Sequence, residues 1–250
     1  MKTALITGGA QGIGRGIVQR LRADGWHVAL FDLDGEAVAE MQARDPGLLA
    51  LTVDVADEAG VQKGFARIRD WLDGAGLDLL VSNAGIADPR NGPIEDLSLG
   101  DWRRMLDSHV TGAFLTVRAA VPLLRAARGS IVLMSSTRAL QSEADTESYA
   151  ASKGALLALS HALAVSLGPE VRVNSILPGW IETAAYRKRE NRSEPHHSQA
   201  EKAQHPVGRI GDPQDVAGLV AYLAWDQAGF VTGQRFVVDG GMSARMIYPA

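Results

Sequence analysis

The sequence predicts an α/β protein, a single doubly wound domain with a seven-stranded, mostly parallel sheet and helices on both faces. The chain has 250 residues, of which 46% are hydrophobic and 22% charged, as is usual for one globular domain of this length. Seven short apolar runs alternate with longer amphipathic stretches, which is typical of βαβ units. The apolar runs are unbroken, and this indicates strands buried on both faces of a parallel sheet.

The order of the elements follows from these runs. Strands are predicted at Ala4–Thr7, Val28–Asp32, Leu49–Val53, Leu77–Val81, Ile131–Met134, Val171–Leu177 and Phe236–Val238. Helices are predicted between them, at Gly12–Leu21, Gly35–Met41, Gly60–Leu72, Trp102–Arg125, Tyr149–Leu167 and Pro213–Trp225.

One segment, residues 183–205, interrupts this alternation. It holds five basic and three acidic residues and almost no apolar periodicity. Long irregular segments in compact domains are often binding loops, so we interpret it as a substrate lid within a single domain spanning residues 1–250. A solvated helical excursion without a function is the alternative.

Charge and composition argue against several classes of function. The formal net charge is −4 and the pI is about 5.9, whereas nucleic-acid-binding proteins usually have a basic surplus. The absence of cysteine excludes disulfides, thiolate metal sites and a cysteine nucleophile. His196, His197 and His205 could suggest a metal ion, but no metal site is predicted. No apolar run is long enough for a signal peptide or a membrane span, and we expect a cytoplasmic protein.

The first chemical signal lies at the first strand-to-helix junction, Thr7-Gly8-Gly9-Ala10-Gln11-Gly12-Ile13-Gly14. Its glycines allow a tight turn and a close approach to a pyrophosphate, whose charge the helix N-terminus would meet. Asp32 ends the second strand, where a carboxylate can hydrogen-bond the adenosine ribose and repel a 2′-phosphate. These residues predict NAD rather than NADP as cofactor. A turn-capping role for Asp32 is the alternative.

The second signal is a tyrosine and a lysine one helical turn apart. Tyr149 and Lys153 lie four positions apart, so the phenol and the ammonium converge on one helix face. A nearby cation lowers the phenol pKa from its usual value of about 10 and makes the tyrosine a usable acid or base. Ser136 follows the preceding strand at the carboxyl edge, where parallel sheets bind ligands. We expect Tyr149 to exchange a proton with a substrate oxygen to which Ser136 donates a hydrogen bond.

In these motifs and their order the chain resembles the short-chain dehydrogenase/reductase family, in its compact form. The resemblance covers essentially the whole chain. It adds the motifs Asp54-Val55, Asn83-Ala84-Gly85, Pro178-Gly179-Trp180-Ile181-Glu182-Thr183 and Val238-Asp239-Gly240-Gly241. It implies a Rossmann-type fold, an NAD(H)-dependent oxidoreductase that interconverts a secondary alcohol and a ketone, and a homotetramer or dimer formed through the Trp102 and Tyr149 helices.

The resemblance also implies roles for single residues. Asp54 would bind the adenine amino group, and Thr183 would hold the nicotinamide carboxamide. Lys153 would hydrogen-bond the nicotinamide ribose. The full set of implied cofactor contacts is Gly8, Gln11, Gly12, Ile13, Gly14, Asp32, Asp54, Val55, Asn83, Ala84, Gly85, Tyr149, Lys153, Pro178, Gly179, Ile181 and Thr183.

One position departs from the family pattern. The family usually has an asparagine in a Val-Asn-x-x-Gly-x-Phe segment, joined to the lysine through water, and His109 stands in its place here. Imidazole can both donate and accept a proton, so we add His109 to the catalytic residues Ser136, Tyr149 and Lys153 as a proton relay. The alternative is that it only satisfies a helix kink.

Polar side chains near the motifs suggest the substrate. Candidate contacts are Arg138, Gln141, Glu143, Trp180 and Tyr186. A polar wall predicts a small polar secondary alcohol or its ketone, such as a sugar, a polyol or a hydroxy acid. These side chains could instead pair with each other or face solvent. Two other functions stay open: a 3-oxoacyl-thioester reductase, which Asp32 opposes, and a catalytically silent dinucleotide-sensing protein, which the intact Ser136, Tyr149 and Lys153 oppose.

Overall fold

The computed structural model describes residues 1–246. Their seven strands form one sheet in which all neighbouring strands are parallel. The strands β1 to β7 are Thr3–Thr7, His27–Asp32, Leu49–Thr52, Leu79–Ser82, Ser130–Met134, Arg172–Pro178 and Arg235–Val238. Each coincides with a predicted apolar run to within two residues. The predicted fold class is confirmed, with a sheet that is parallel throughout.

The strand order explains where a site can form. The strands follow each other as β3-β2-β1-β4-β5-β6-β7, so the chain builds outward from β1 and then returns to its other side at β4. Such a reversal leaves a crevice at the carboxyl ends of the two central strands, where doubly wound sheets bind ligands. Thr7 and Ser82 end these strands, and therefore the glycine turn and Asn83 lie beside the crevice.

The helices α1 to α8 are Gly12–Ala23, Gly35–Arg44, Glu58–Leu72, Leu99–Leu106, Gly112–Ala127, Glu147–Leu167, Gln199–Ala203 and Pro213–Ala224. Side-chain caps fix several of their starts: Asp34 accepts the N–H groups of Glu36 and Ala37, and Asp57 caps α3 in the same way. The start of α1 differs, because the Gln11 side chain at its N-cap accepts no hydrogen bond from the first turn. The first-turn N–H groups of α1 thus have no side-chain acceptor.

The predicted helix Trp102–Arg125 is interrupted. It begins at Leu99, and a π-helical turn at Asp107–Thr111 separates α4 from α5. His109 lies at the centre of this turn and is buried. π-helical turns are rare and frequently occur at functional sites. The helix irregularity considered for this position is therefore present.

Two hydrophobic clusters fill the space between the sheet and its helices. Successive residues of β1 point to opposite faces, so Ile6 packs in the cluster with α1, α2 and α8, whereas Leu5 packs with α3, α5 and α6. Helices thus cover both faces, as predicted. Residues 183–205 are largely irregular, with single turns at Ala184–Tyr186 and Arg189–Asn191 followed by α7.

The expectation that no segment is long and apolar enough to span a membrane was wrong. Leu99–Ala127 and Glu147–Leu167 both meet that criterion, with a mean hydropathy of 1.3 over 18 residues. The prediction considered unbroken apolar runs only, whereas these helices mix apolar residues with Ser, Thr and Gly. Both pack against the parallel sheet, and the core helices of soluble proteins meet the same criterion.

Candidate active site

Glycines and Asn83 fix the turn after β1. Gly8 and Gly12 have φ angles of +62° and +57°, in the left-handed region that favours glycine. A Cβ atom on Gly14 would lie 2.0 Å from the Gly8 carbonyl oxygen, so α1 packs against the turn at a distance only glycine permits. Asn83 Nδ2 donates to the carbonyl oxygens of Thr7 and Gly8 at 3.0 and 3.2 Å. The wall of the crevice is therefore a backbone turn that the Asn83 side chain holds through two hydrogen bonds.

Asp32 joins this turn to the end of β2. Its carboxylate accepts the N–H groups of Ala10 at 2.9 Å and Asp34 at 3.1 Å. Burial raises the pKa of Asp32, and these hydrogen bonds oppose the rise. The bond to Asp34 is the turn-capping role considered above. The bond to Ala10 places the carboxylate against the glycine turn, where the ribose role would require it.

The crevice fits a dinucleotide. On its open side Gly12 faces only Thr183, whose Cγ2 would lie 3.8 Å from a Cβ atom on Gly12. The uncapped first turn of α1 offers N–H groups of the kind that bind pyrophosphates, and Asp32 stands beside it. A nicotinamide dinucleotide would be held by these groups.

All the predicted cofactor contacts follow the carboxyl ends of strands or lie at the helix that the strand leads into. Gln11–Gly14 follow β1, Asp54 and Val55 follow β3, Asn83–Gly85 follow β4, and the segment of residues 178–183 follows from β6. Asp54 is exposed, whereas Val55 is buried against α5. The structure thus places the whole predicted set along one edge of the sheet.

The side chains of Tyr149 and Lys153 converge as the helical spacing predicts. Lys153 Nζ lies 5.3 Å from the centroid of the Tyr149 ring. The Lys153 side chain is buried, donates to the Met134 carbonyl oxygen at 3.1 Å, and has its pKa lowered to about 7 by desolvation. Ser135 Oγ donates to the Lys153 carbonyl oxygen at 2.8 Å, which is a structural role, whereas Ser136 is the serine that lowers the pKa of Tyr149.

The pKa of Tyr149 differs from the sequence-based expectation. Burial raises it, and the Ser136 hydrogen bond and the positive charge of Arg138 only partly offset this rise. The expected lowering of the pKa is therefore outweighed by the burial of the phenol.

His109 contacts α6, the helix of Tyr149 and Lys153, through Ser152. Its Nδ1 lies 2.9 Å from Ser152 Oγ, and its ring meets the Tyr149 ring edge-on at 5.4 Å between centroids. A Cβ atom on Gly85 would lie 2.1 Å from His109 Cδ2, so this glycine makes room for the imidazole. Burial and the charge of Lys153 lower the pKa of His109 to about 3. His109 is therefore a neutral donor and acceptor next to Tyr149.

The first half of the segment 183–205 contacts the starts of α1 and α2. We call residues 187–192 the strap. The Lys188 N–H donates to Gln11 Oε1 at 2.9 Å, and Lys188 Nζ lies 2.5 Å from Glu36 and 3.5 Å from Asp34. These contacts join the strap to the starts of α1 and α2.

Glu40 of α2 forms the second anchor of the strap. It pairs with Arg192, accepts the Arg189 N–H at 2.7 Å, and lies 3.0 Å from Arg15 Nη2. The Arg15 side chain is only 1% exposed, and its Nη1 donates to the Arg187 carbonyl oxygen. Sequence reasoning missed this network, because residues some 150 positions apart form it and no local pattern announces it.

Among the candidate substrate contacts, Arg138 lies nearest to the chemistry. Its charge acts on the Tyr149 phenol, and its Nη2 lies 2.8 Å from Glu143. Glu143 and Gln141 are exposed, so the alternative of mutual pairing and solvent exposure holds for this part of the wall.

Trp180 and Tyr186 face different surroundings. Trp180 packs edge-on against His197, which lies 3.3 Å from Glu182. The Tyr186 hydroxyl lies 3.4 Å from Gln214 at the start of α8, which packs against α1. Among residues 1–246, no three His, Asp or Glu side chains are grouped as a metal site requires.

The chain is similar along its whole length to known oxidoreductases. A family model described as enoyl-(acyl carrier protein) reductase matches residues 8–243. An uncharacterised oxidoreductase of Thermotoga maritima is 43% identical over 99% of this chain and 98% of its own. A 3-alpha-(or 20-beta)-hydroxysteroid dehydrogenase of Mycobacterium tuberculosis is 36% identical over 99% and 91% of the two chains. A trans-4-hydroxycyclohexanecarboxylate dehydrogenase of Sinomonas cyclohexanicum is 36% identical over 97% and 93%.

Solved structures agree with this similarity. An apo SCOR enzyme from Clostridium thermocellum has a TM-score of 0.88 and 34% identity, covering 99% of this chain and 95% of its own. ElxO with NADP bound has a TM-score of 0.85 and 26% identity, covering 98% and 99%. The fold, the ordered motifs and these similarities show that the chain belongs to the short-chain dehydrogenase/reductase family of oxidoreductases.

Proposed function

We propose that this protein is an NAD(H)-dependent dehydrogenase that oxidises a small polar secondary alcohol, or reduces the corresponding ketone. The observation that carries the proposal is the convergence of Ser136, Tyr149 and Lys153 beside the glycine turn. In the oxidative direction the alcohol and NAD⁺ give the ketone, NADH and one proton. The bound cofactor supplies the hydride acceptor or donor.

The protein's own residues handle the substrate oxygen and its proton. Ser136 donates a hydrogen bond to that oxygen and holds it at Tyr149. Tyr149 takes the proton of the alcohol in oxidation and returns one to the ketone oxygen in reduction. Lys153, which is anchored to the Met134 carbonyl oxygen, stabilises the phenolate when it carries its charge.

The direct test removes the oxygen that carries the proton. Tyr149→Phe should still bind NADH, measured by fluorescence, and lose turnover by about 10²- to 10⁴-fold. Tyr222→Phe is the matched control, because that tyrosine lies on α8 and is half exposed. Near-normal turnover in Tyr149→Phe would show that another group transfers the proton.

The charges at the adenosine end support NAD as the cofactor. Asp32 and Asp34 place two carboxylates there, and Glu36 and Glu40 follow on α2. The nearest ammonium, that of Lys188, is engaged by Asp34, Glu36 and Glu190. A 2′-phosphate would lie beside the Asp32 carboxylate, which would repel it. ElxO binds NADP, so kinetics with both cofactors in parallel decide the point.

The surroundings of Tyr149 support a polar substrate. Arg138, Trp180, Glu182 and His197 offer polar or amphipathic groups near the end of the crevice. The Sinomonas relative acts on a hydroxy acid, whereas the mycobacterial relative acts on steroids, for which an apolar wall would be expected. The test is a panel of sugars, polyols, hydroxy acids and steroids, and steroid preference would contradict the proposal.

A reductase of carrier-protein thioesters is the second candidate. The description of the matching family model favours it. Such an enzyme would need basic docking residues and a second strand that accepts NADP, and Asp32 opposes the latter. Rapid NADPH oxidation with 3-oxoacyl or enoyl thioesters, and none with polar ketones, would establish it in place of the dehydrogenase.

We also propose a cytoplasmic homodimer or homotetramer. Phe114 on α5 and Val165 on α6 are 49% and 83% exposed, so both helices present apolar side chains outside the sheet contact. Sedimentation velocity tests the assembly, and a monomer at micromolar concentration would contradict it.

A further inference from the structure

Arg138 has a fixed position relative to the serine of the site. It lies in a single helical turn, Thr137–Ala139, that directly follows Ser136. The Arg138 N–H donates to Ser136 Oγ at 3.2 Å. A group that contacts the Arg138 side chain is therefore held in register with the serine hydroxyl.

The guanidinium of Arg138 is half paired. Nη2 lies 2.8 Å from Glu143, whose side chain is 71% exposed, while the Arg138 side chain is only 21% exposed. Nη1 is buried and has no hydrogen-bond partner among residues 1–246. Buried guanidinium donors are normally satisfied, so a free one beside a substrate site points to a ligand acceptor.

Among residues 1–246, the other two basic groups at the phenol are less suited to hold an anion. Lys153 Nζ already donates to the Met134 carbonyl oxygen and has its pKa lowered to about 7, and His109 is neutral because its pKa is about 3. The positive charge that acts on the Tyr149 phenol is that of Arg138. An anionic group of a substrate held at Tyr149 would meet this guanidinium first.

We propose that Arg138 binds a carboxylate of the substrate through Nη1 while Ser136 and Tyr149 hold the carbinol oxygen, so that the substrates are hydroxy acids and the corresponding oxo acids. A planar guanidinium binds carboxylates more tightly and more directionally than it binds neutral oxygens. Glu143 holds the guanidinium from the solvent side and leaves Nη1 to the substrate. The inference rests on the proposed dehydrogenase function and names its substrate class.

The test compares acids with their neutral esters. Lactate, 3-hydroxybutyrate and 4-hydroxycyclohexanecarboxylate are each assayed against the methyl ester with NAD, in the wild type and in Arg138→Gln and Arg138→Lys. We expect the best acid to exceed its ester by about 10- to 100-fold in kcat/KM. Arg138→Gln should remove this preference, mainly through KM, and Arg138→Lys should restore part of it. The matched control is Arg125→Gln on α5, which breaks a surface pair between Arg125 and Glu170. It should leave the ratio of acid to ester unchanged.

A binding measurement makes the result independent of turnover. The oxo acids acetoacetate and 4-oxocyclohexanecarboxylate are titrated calorimetrically into Tyr149→Phe with NADH, with and without Arg138→Gln. We expect about a tenfold or greater loss of affinity in the double variant. Equal kcat/KM for acids and esters, or an acid preference that survives Arg138→Gln, would overturn the inference while leaving the dehydrogenase intact. Absence of turnover on every alcohol and ketone of the panel would instead reject the proposed function.

Discussion

His109 Nδ1 lies 2.9 Å from the hydroxyl oxygen of Ser152, the residue before the site lysine. The Ser152 hydroxyl also lies 2.8 Å from the Tyr149 carbonyl oxygen, and the imidazole tautomer decides which atom donates in the His109–Ser152 pair. The imidazole links the π-helical turn to α6 as a neutral group, with a pKa lowered to about 3 by burial and by Lys153.

The first prediction concerns acid stability. Because the unfolded state binds a proton on His109 below pH 6.5 and the folded state does not until about pH 3, the free energy of unfolding falls as the pH falls through this range. The loss is about 1.4 kcal/mol per pH unit, or roughly 2 kcal/mol at pH 5. His109→Asn should lack this contribution. Urea unfolding at pH 7 and pH 5 measures it.

The same variants test the relay. Asn keeps a donor toward Ser152 and should be tolerated, whereas His109→Leu should slow turnover. Equal rates and equal pH–rate profiles in wild type, Asn and Leu would leave His109 with a packing role beside Gly85 only.

The sequence predicts the fold well, because each strand contains an apolar run that is recognisable without the structure. It also predicts the edge on which Ser136, Tyr149 and Lys153 meet. The helical spacing of Tyr149 and Lys153 is local, and the carboxyl ends of parallel strands lie on one edge of the sheet. It does not predict the π-helical turn at His109 or the strap at Glu40. The strap depends on ion pairs between distant segments, and the pKa of Tyr149 depends on burial that only the packed structure shows.

The second prediction concerns cofactor choice. Asp32→Asn keeps an oxygen that can accept the Ala10 N–H but removes the negative charge. The preference for NAD over NADP in kcat/KM should therefore narrow by a factor that corresponds to about 1–3 kcal/mol. Asp24→Asn, at the far end of α1, is the control. A wild type that uses NADP equally well or better would contradict the role of Asp32.

The third prediction concerns the pH profile. The Ser136 hydrogen bond lowers the Tyr149 pKa against the effect of burial, so Ser136→Ala should move the pH dependence of alcohol oxidation to higher pH. Ser142→Ala, on the same loop but exposed, should leave the profile in place. An unmoved profile in Ser136→Ala would mean that Tyr149 does not set the titration seen in the rate.

The fourth prediction concerns the strap. Glu40→Gln leaves the buried Arg15 guanidinium without its carboxylate, and a buried donor that loses its partner costs about 1–3 kcal/mol of stability. It also releases Arg189 and Arg192, so NADH should dissociate faster in stopped-flow fluorescence. Glu36→Gln, which removes an exposed partner of Lys188, should change stability little. An NADH dissociation rate in Glu40→Gln equal to that of the wild type would show that the strap does not retain the cofactor.

The last prediction separates stability from function at Lys153. Its pKa is about 7 in the folded protein and 10.5 when exposed, so the folded state releases protons that the unfolded state keeps. The free energy of unfolding therefore rises with pH between about 7 and 10.5.

Lys153→Met removes this buried ammonium, and at pH 7 the variant should be more stable than the wild type by about 1–3 kcal/mol. The advantage should shrink toward pH 10, while turnover should fall because the variant lacks the ammonium that stabilises the Tyr149 phenolate. Urea unfolding at pH 7 and pH 10 checks the prediction, and a variant that is less stable at pH 7 would show that the Lys153 hydrogen bond to Met134 outweighs the desolvation of its charge.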